Sequence, residues 1–222
     1  MFDSAQRRQS RLENLEGIQL TRRSYNIAIG LFLLVAFVVN AITASLLKGY
    51  VNSLNPFILL IGYFVLSLIS SIMLVKTKSV AVASTAFLVL SFATGLMLTF
   101  LIQLYTTSTV MYAFIGTAVI LVVMIVMSSI NPDFFLSMGR ALTVSLIVAI
   151  VADLILSIFF RSYTSIIDYA VVLIFTGFIG FDWARAQAYP KNLLNAVGAA
   201  ADIYLDLINI FIRLLRIFGK KD

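Results

Sequence analysis

Five polar side chains interrupt the last apolar stretch of the chain, Asn192 to Phe218: Asp202, Asp206, Asn209, Arg213 and Arg216. Spacings of four, three, four and three put all five on one helical face. Asn195, Gly198 and Ala199 continue that face backwards, while Leu205, Leu207, Ile208, Ile210 and Leu214 cover most of the remaining circumference. A membrane helix cannot turn such a stripe toward lipid. Each charge at bilayer depth costs a few kcal/mol by insertion scales, about 3 kcal/mol at the centre, so it marks an ion or proton pathway or a buried pair. Two further acids interrupt apolar runs: Asp182, in Gly180-Phe181-Asp182-Trp183, and Asp153, in Val151-Ala152-Asp153-Leu154.

Each of these residues also has a plain structural reading. Asp182 has Arg185 three positions on, the spacing of a local ion pair. Asp206, in the middle of its segment, could instead pair with an arginine of a neighbouring helix. Asp153 has no charge near it in sequence and needs a partner from another helix, for which the arginines of the last segment are candidates. Acids early and arginines late in that segment also suit the helix dipole.

The elements that hold these groups follow from composition. The 222 residues are 61% hydrophobic and 12% charged, with a mean hydropathy of +1.04, which is an integral membrane protein and not a soluble domain. Apolar runs bounded by charges or turn residues give seven segments: Tyr25 to Leu47, Pro56 to Val75, Val80 to Tyr105, Thr109 to Ile130, Ala141 to Phe160, Ile166 to about Ala188, and Asn192 to Phe218. All read as helices, because an open strand cannot satisfy its backbone in lipid. Pro56, Pro132 and Pro190 fall at connections. The expected domain plan is a basic tail, 1–23, followed by a single bundle, 24–222. The first apolar segment is full-length and lacks a small-residue cleavage pattern, so it reads as a retained anchor.

The net charge of +6 comes from basic residues scattered at helix ends, as topology requires, and gives no nucleic-acid surface. Arg7, Arg8, Arg11, Arg22 and Arg23 precede the first crossing, and Lys76, Lys78, Arg140, Arg185 and Lys191 fall on the same side. The amino terminus is therefore expected in the cytoplasm. The carboxyl end stays open between a seventh crossing and a re-entrant last segment. Lys76 and Lys78 read first as topology markers that snorkel to headgroups. Ser67, Ser70, Ser71 and Gly95 suit close helix packing, and Phe159, Phe160 and Tyr163 an interfacial belt. With no histidine and no cysteine, histidine-based catalysis and thiolate metal sites are excluded. A response to pH near neutrality would have to come from carboxylates perturbed by burial or by like charge.

Asp182 after an apolar helix, then Tyr204-Leu205-Asp206, Ile208-Asn209 and Leu214-Leu215-Arg216-Ile217-Phe218-Gly219, resembles the transmembrane Bax inhibitor motif family, also called the Bax inhibitor-1 family. The resemblance implies an all-α membrane protein, a seven-helix bundle with the last helix at its centre, and the pH-sensitive calcium leak of bacterial members. It also implies that Asp182 and Asp206 are the paired acids serving as pH sensor and ion path, with transient calcium contact, supported by Asp202, Asn209, Arg213 and Arg216. The family's latch arginine near the end of the second helix has Lys76 or Lys78 in its place, which supply charge without a bidentate fork. Asp202 departs as well, since the family position is usually not acidic.

Three function classes are therefore carried forward. The first is a non-enzymatic calcium leak in a bacterial plasma membrane, with lipid, protons and calcium as partners and no cofactor. The second is an interaction protein that restrains a membrane protease or cell-death machinery, docking through the tail. The third is an intramembrane aspartyl protease, which is disfavoured because the Gly-x-Gly-Asp and Pro-Ala-Leu motifs are missing. The charge count gives the first prediction: a reporter fused at Asn14 reads cytoplasmic, and an external reading there would overturn the assigned orientation.

Overall fold

The computed structural model describes residues 19–156 and 165–219. Residues 1–18, Phe159, Phe160 and Tyr163 lie outside the described residues, so the expectations placed on them stay with the sequence. Eight helices are described: α1 (Arg22–Leu46), α2 (Lys48–Ser53), α3 (Pro56–Lys76), α4 (Val80–Ile102), α5 (Thr107–Ile130), α6 (Pro132–Ile155), α7 (Ser165–Ala188) and α8 (Leu193–Phe218). No strand is found among the described residues.

Local chemistry sets the boundaries. The Thr21 hydroxyl accepts from the Ser24 amide at 3.1 Å and opens α1. Asn55 accepts from Phe57 at 2.8 Å with Pro56 at the first helical position, where its missing N–H costs nothing. Asn131 and Pro132 open α6 in the same way, Asn131 accepting from Phe134 at 3.3 Å. This cap corrects one boundary: the fifth apolar segment was expected from Ala141, but its helix starts at Pro132, because capping extends it through the polar residues Asp133 and Arg140. Hydropathy saw only the apolar part.

Five helices are long and apolar enough to cross a membrane by length and composition: α1, α3, α4, α5 and the stretch Ile166–Ala188 of α7. The other two long helices carry the charges, Asp133, Arg140 and Asp153 in α6 and Asp202, Asp206, Arg213 and Arg216 in α8. Large apolar side chains are exposed along whole helices, among them Leu31, Leu34, Ile58, Phe64, Val122 and Ile130. An aqueous protein does not present such surface, whereas lipid accepts it without cost.

The residues group into two compact units. One takes the chain up to Leu104 together with Ala188–Ala201, and the other takes Tyr105–Gln187 together with the chain from Asp202 onward. In the first unit α4 packs on α1 and α3, with Tyr25, Ile29, Ala36, Phe87 and Leu90 buried and Phe32 edge-on to Phe87 at 6.4 Å. The connection before α8 is fastened within the same unit. The Leu20 amide donates to Lys191 O at 2.6 Å, and the Lys191 ammonium lies 5.3 Å from the Tyr25 ring centroid. Burial, with the charge of Arg22 second, holds the Lys191 amine below the usual lysine range. In the second unit Ile179, Ile203, Tyr204, Leu207 and Ile210 are fully buried.

Close packing depends on Gly95. A Cβ there would meet the Thr43 side chain at 3.0 Å and Asn40 Oδ1 at 3.2 Å, whereas one on Gly62 would meet nothing within 4 Å. Gly95→Leu should therefore lower stability by about 1–3 kcal/mol, the usual cost of overpacking. Gly62→Ala should be neutral or gain up to about 1 kcal/mol from helix propensity. Thermal unfolding in detergent micelles checks both, and equal tolerance would contradict this packing.

Candidate functional site

The polar stripe divides into two ionic clusters, both inside the second unit. The first is built where α7 nears its end. Asp182 and Asp206 are both buried, and their side chains are hydrogen-bonding neighbours. Two carboxylates have four acceptors and no donor, so a hydrogen bond between them requires a proton on one. The other oxygen of Asp206, Oδ2, is buried without a hydrogen-bond partner among the described residues. Around the pair, Arg185 Nη2 lies 2.6 Å from Asp182 Oδ1 and 2.8 Å from Asp202 Oδ2, and the guanidinium sits 4.9 Å from the Phe181 ring centroid. Among the described residues no group of three histidine, cysteine or acidic side chains is arranged to hold a metal ion.

The backbone that presents Asp182 is held by small, specific contacts. Ser128 Oγ donates to Gly180 O at 2.6 Å, and Trp183 Nε1 donates to Ser129 Oγ at 2.9 Å, tying this part of α7 to the end of α5. Gly180 is needed because a Cβ there would overlap the Phe135 ring of α6. Asp182 thus sits on a segment fixed from both neighbouring helices.

The second cluster lies further along α8. Arg213 Nη1 donates to Asp168 Oδ1 at 2.6 Å and Nη2 to Asp153 Oδ2 at 3.2 Å, with Arg216 Nη1 3.6 Å from Asp168 Oδ1. One guanidinium therefore joins the end of α6, the first turn of α7 and the last turns of α8. Asn209, between the clusters, spends its amide on Leu205 O at 2.8 Å. Arg213 is seven residues beyond Asp206, about 10 Å of helical rise.

The sequence reading placed the stripe, paired Asp182 with Arg185, and sought the partner of Asp153 among the last-helix arginines; the geometry has these contacts. Asp168 was missed. An acid in the first turn of a helix reads as a routine complement to the dipole, which hid a nearly fully buried carboxylate serving two arginines. The second contact of Arg185, to Asp202, was missed because it spans 17 positions and crosses between helices. Lys76, at the end of α3, and Lys78 belong to the first unit.

A family model described as "Inhibitor of apoptosis-promoting Bax1" matches residues 18–222. The chain belongs to the Bax inhibitor-1 family. This Bax inhibitor-1 member is 33% identical over 153 residues to an uncharacterized membrane protein of Streptococcus pyogenes serotype M1, covering 65% of this chain and 66% of that protein. It is 28% identical over 196 residues to the uncharacterized protein YrjE of Lactococcus lactis, covering 85% and 81%. With the inner membrane protein YbhL of Escherichia coli K12 it shares 28% over 174 residues, covering 73% and 74%. It is accordingly a multi-pass integral membrane protein of a family whose relatives include named membrane proteins.

The second cluster yields a stability prediction. Arg213→Leu leaves Asp153 and Asp168 without their main partner in a poorly solvated interior, and should cost about 3–5 kcal/mol. Arg216→Leu, at the longer distance, should cost less. Thermal melts of the two variants in one detergent give the order, and a reversal would mean that Arg213 does not hold the cluster.

Proposed function

We propose that this protein is a passive calcium leak whose opening is set by a proton shared between Asp182 and Asp206. The observation that supports the reading is the buried carboxyl–carboxyl contact. With the proton in place the acids hold each other and the path is closed. When it leaves, two like charges in a low-dielectric site repel, the helices carrying them separate, and the freed oxygens form a negative constriction. Flux therefore rises as pH rises. Calcium takes about six to eight oxygen ligands, so two aspartates hold it too weakly for storage and weakly enough for passage. In this reading α6 and α8 also enter the bilayer, giving seven segments, and the arginine-rich tail is cytoplasmic.

A second reading, a protein that restrains a membrane partner, is favoured by the family description as an inhibitor of Bax1. The tail before α1 is the candidate docking segment. Removing residues 1–18 should abolish docking and spare transport, which separates the two readings.

The decisive measurement is calcium flux into liposomes containing only the purified protein, across a pH series. Asp206→Asn and Asp182→Asn should each remove the steep dependence near neutrality, and the double variant should add little, because the two acids titrate as one unit. Asp202→Asn, outside the shared proton, should keep a steep profile. Wild-type pH profiles in both single variants would sink the proposal, whatever their absolute flux.

A further inference from the structure

We propose that Arg185 is a tethered competitor cation, occupying between Asp182 and Asp202 the place a permeating divalent cation must take and yielding it by rotating away while keeping its contact with the Phe181 ring. The inference rests on the leak reading and adds to it the step that admits the ion.

A single nitrogen, Nη2, contacts a carboxylate oxygen of α7 at 2.6 Å and one of α8 at 2.8 Å. That is the bridging position of a cation between two acids, supplied here by the chain itself. The oxygens concerned, Asp182 Oδ1 and Asp202 Oδ2, cannot accept from a guanidinium and ligate calcium in the same place, because the two positive centres would lie within a few ångströms of each other. Entry by the ion therefore requires the guanidinium to leave. Asp206 Oδ2, buried and unpartnered among the described residues, shows that acceptor capacity beside the arginine is not used up.

The exit for the guanidinium is already built. Phe181, Asp182 and Arg185 lie on one helix at i, i+1 and i+4, and the Arg185 guanidinium is 4.9 Å from the Phe181 ring centroid. The guanidinium makes this cation–π contact while it bridges the acids, so side-chain rotation can release the carboxylates and keep the ring contact, worth about 0.5–2 kcal/mol. The Arg185 side chain is one-quarter exposed, so it has room to move, while its two carboxylate partners are more deeply buried. Among the described residues of the unit, α5 carries no charged residue, and Asp133 and Arg140 of α6 are exposed. Arg213 and Arg216 are engaged with Asp168.

The test reads the calcium concentration giving half-maximal flux, in proteoliposomes of the full chain at one fixed pH on the conducting side. Arg185→Gln should lower it by about tenfold or more, the order expected on removing one charge from a buried set. Arg185→Ala should do the same, and millimolar guanidinium ion added to that variant should raise the value back toward wild type while leaving the wild-type protein unchanged. A purely structural arginine would not be replaced by a free ion. An unchanged half-maximal concentration in folded Arg185→Gln overturns the proposal, as does failure of guanidinium to restore Arg185→Ala. If both variants fail to fold, Arg185→Lys decides, because an ammonium keeps the charge and loses the fork. A lowered half-maximal concentration there supports the tether and an unchanged one overturns it. Absence of calcium flux from the wild-type protein at every pH would sink the leak reading itself, and is distinguishable from these outcomes.

Discussion

A charge buried in a protein interior must be answered by another group of the same protein, and this requirement governs the second unit. A packed interior offers little water and no counter-ions, so α8 can carry Asp202, Asp206, Arg213 and Arg216 only if the neighbouring helices supply matching groups at the right heights. α7 does so twice, with Asp168 in its first turn and Asp182 and Arg185 near its end, and α6 does so once, with Asp153. A slip of one residue in either helix would turn each charge by about 100° away from its partner. The ionic contacts thus specify helix register, the best-attested use of buried polar groups, more than they add stability.

Most of this frame was legible in the sequence because its signals are local. Apolar runs, prolines at connections and a three-and-four spacing each depend on a few consecutive residues, and the corresponding helices start and stop close to where those signals lie. Where the signals conflicted, hydropathy misled. The helix containing Arg140 was cut short at its charge, although the Asn131 cap and Pro132 settle the start nine residues earlier, as counted from Ala141. The site was half legible. Acids and arginines inside apolar runs announce themselves, but which acid meets which arginine depends on how helices cross. Asp168 shows the difficulty: its chemistry is ordinary for its position in α7, and only the third dimension brings Arg213 to it.

Gly180 and Ser128 show a second kind of information that the sequence carries without displaying. Neither would be chosen as functional, since one lacks a side chain and the other has a common hydroxyl. Yet the missing Cβ lets the Phe135 ring approach the backbone, and the hydroxyl takes a carbonyl of α7 two residues before Asp182. In the proposed leak, which works by the separation of two carboxylates, one of them needs a fixed support. The contacts from α5 and α6 provide that support for Asp182, so motion is more readily assigned to α8 and to side chains than to this part of α7.

The two clusters on α8 also differ in their balance of acidic and basic groups. Beyond Asn209, two carboxylates face two guanidiniums, so the numbers of acidic and basic groups match. Such a balanced set serves register. Before Asn209, three carboxyls face one guanidinium, so the cluster stays negative even with a shared proton in place. Excess negative charge in a low-dielectric interior is costly unless a cation compensates it. In the proposed leak, this imbalance is what attracts a divalent ion, while the Arg185 guanidinium limits how readily that ion enters. On that proposal, the polarity of the stripe along α8, balanced at one end and unbalanced at the other, separates holding the helices together from admitting a cation, with both tasks carried on one helical face.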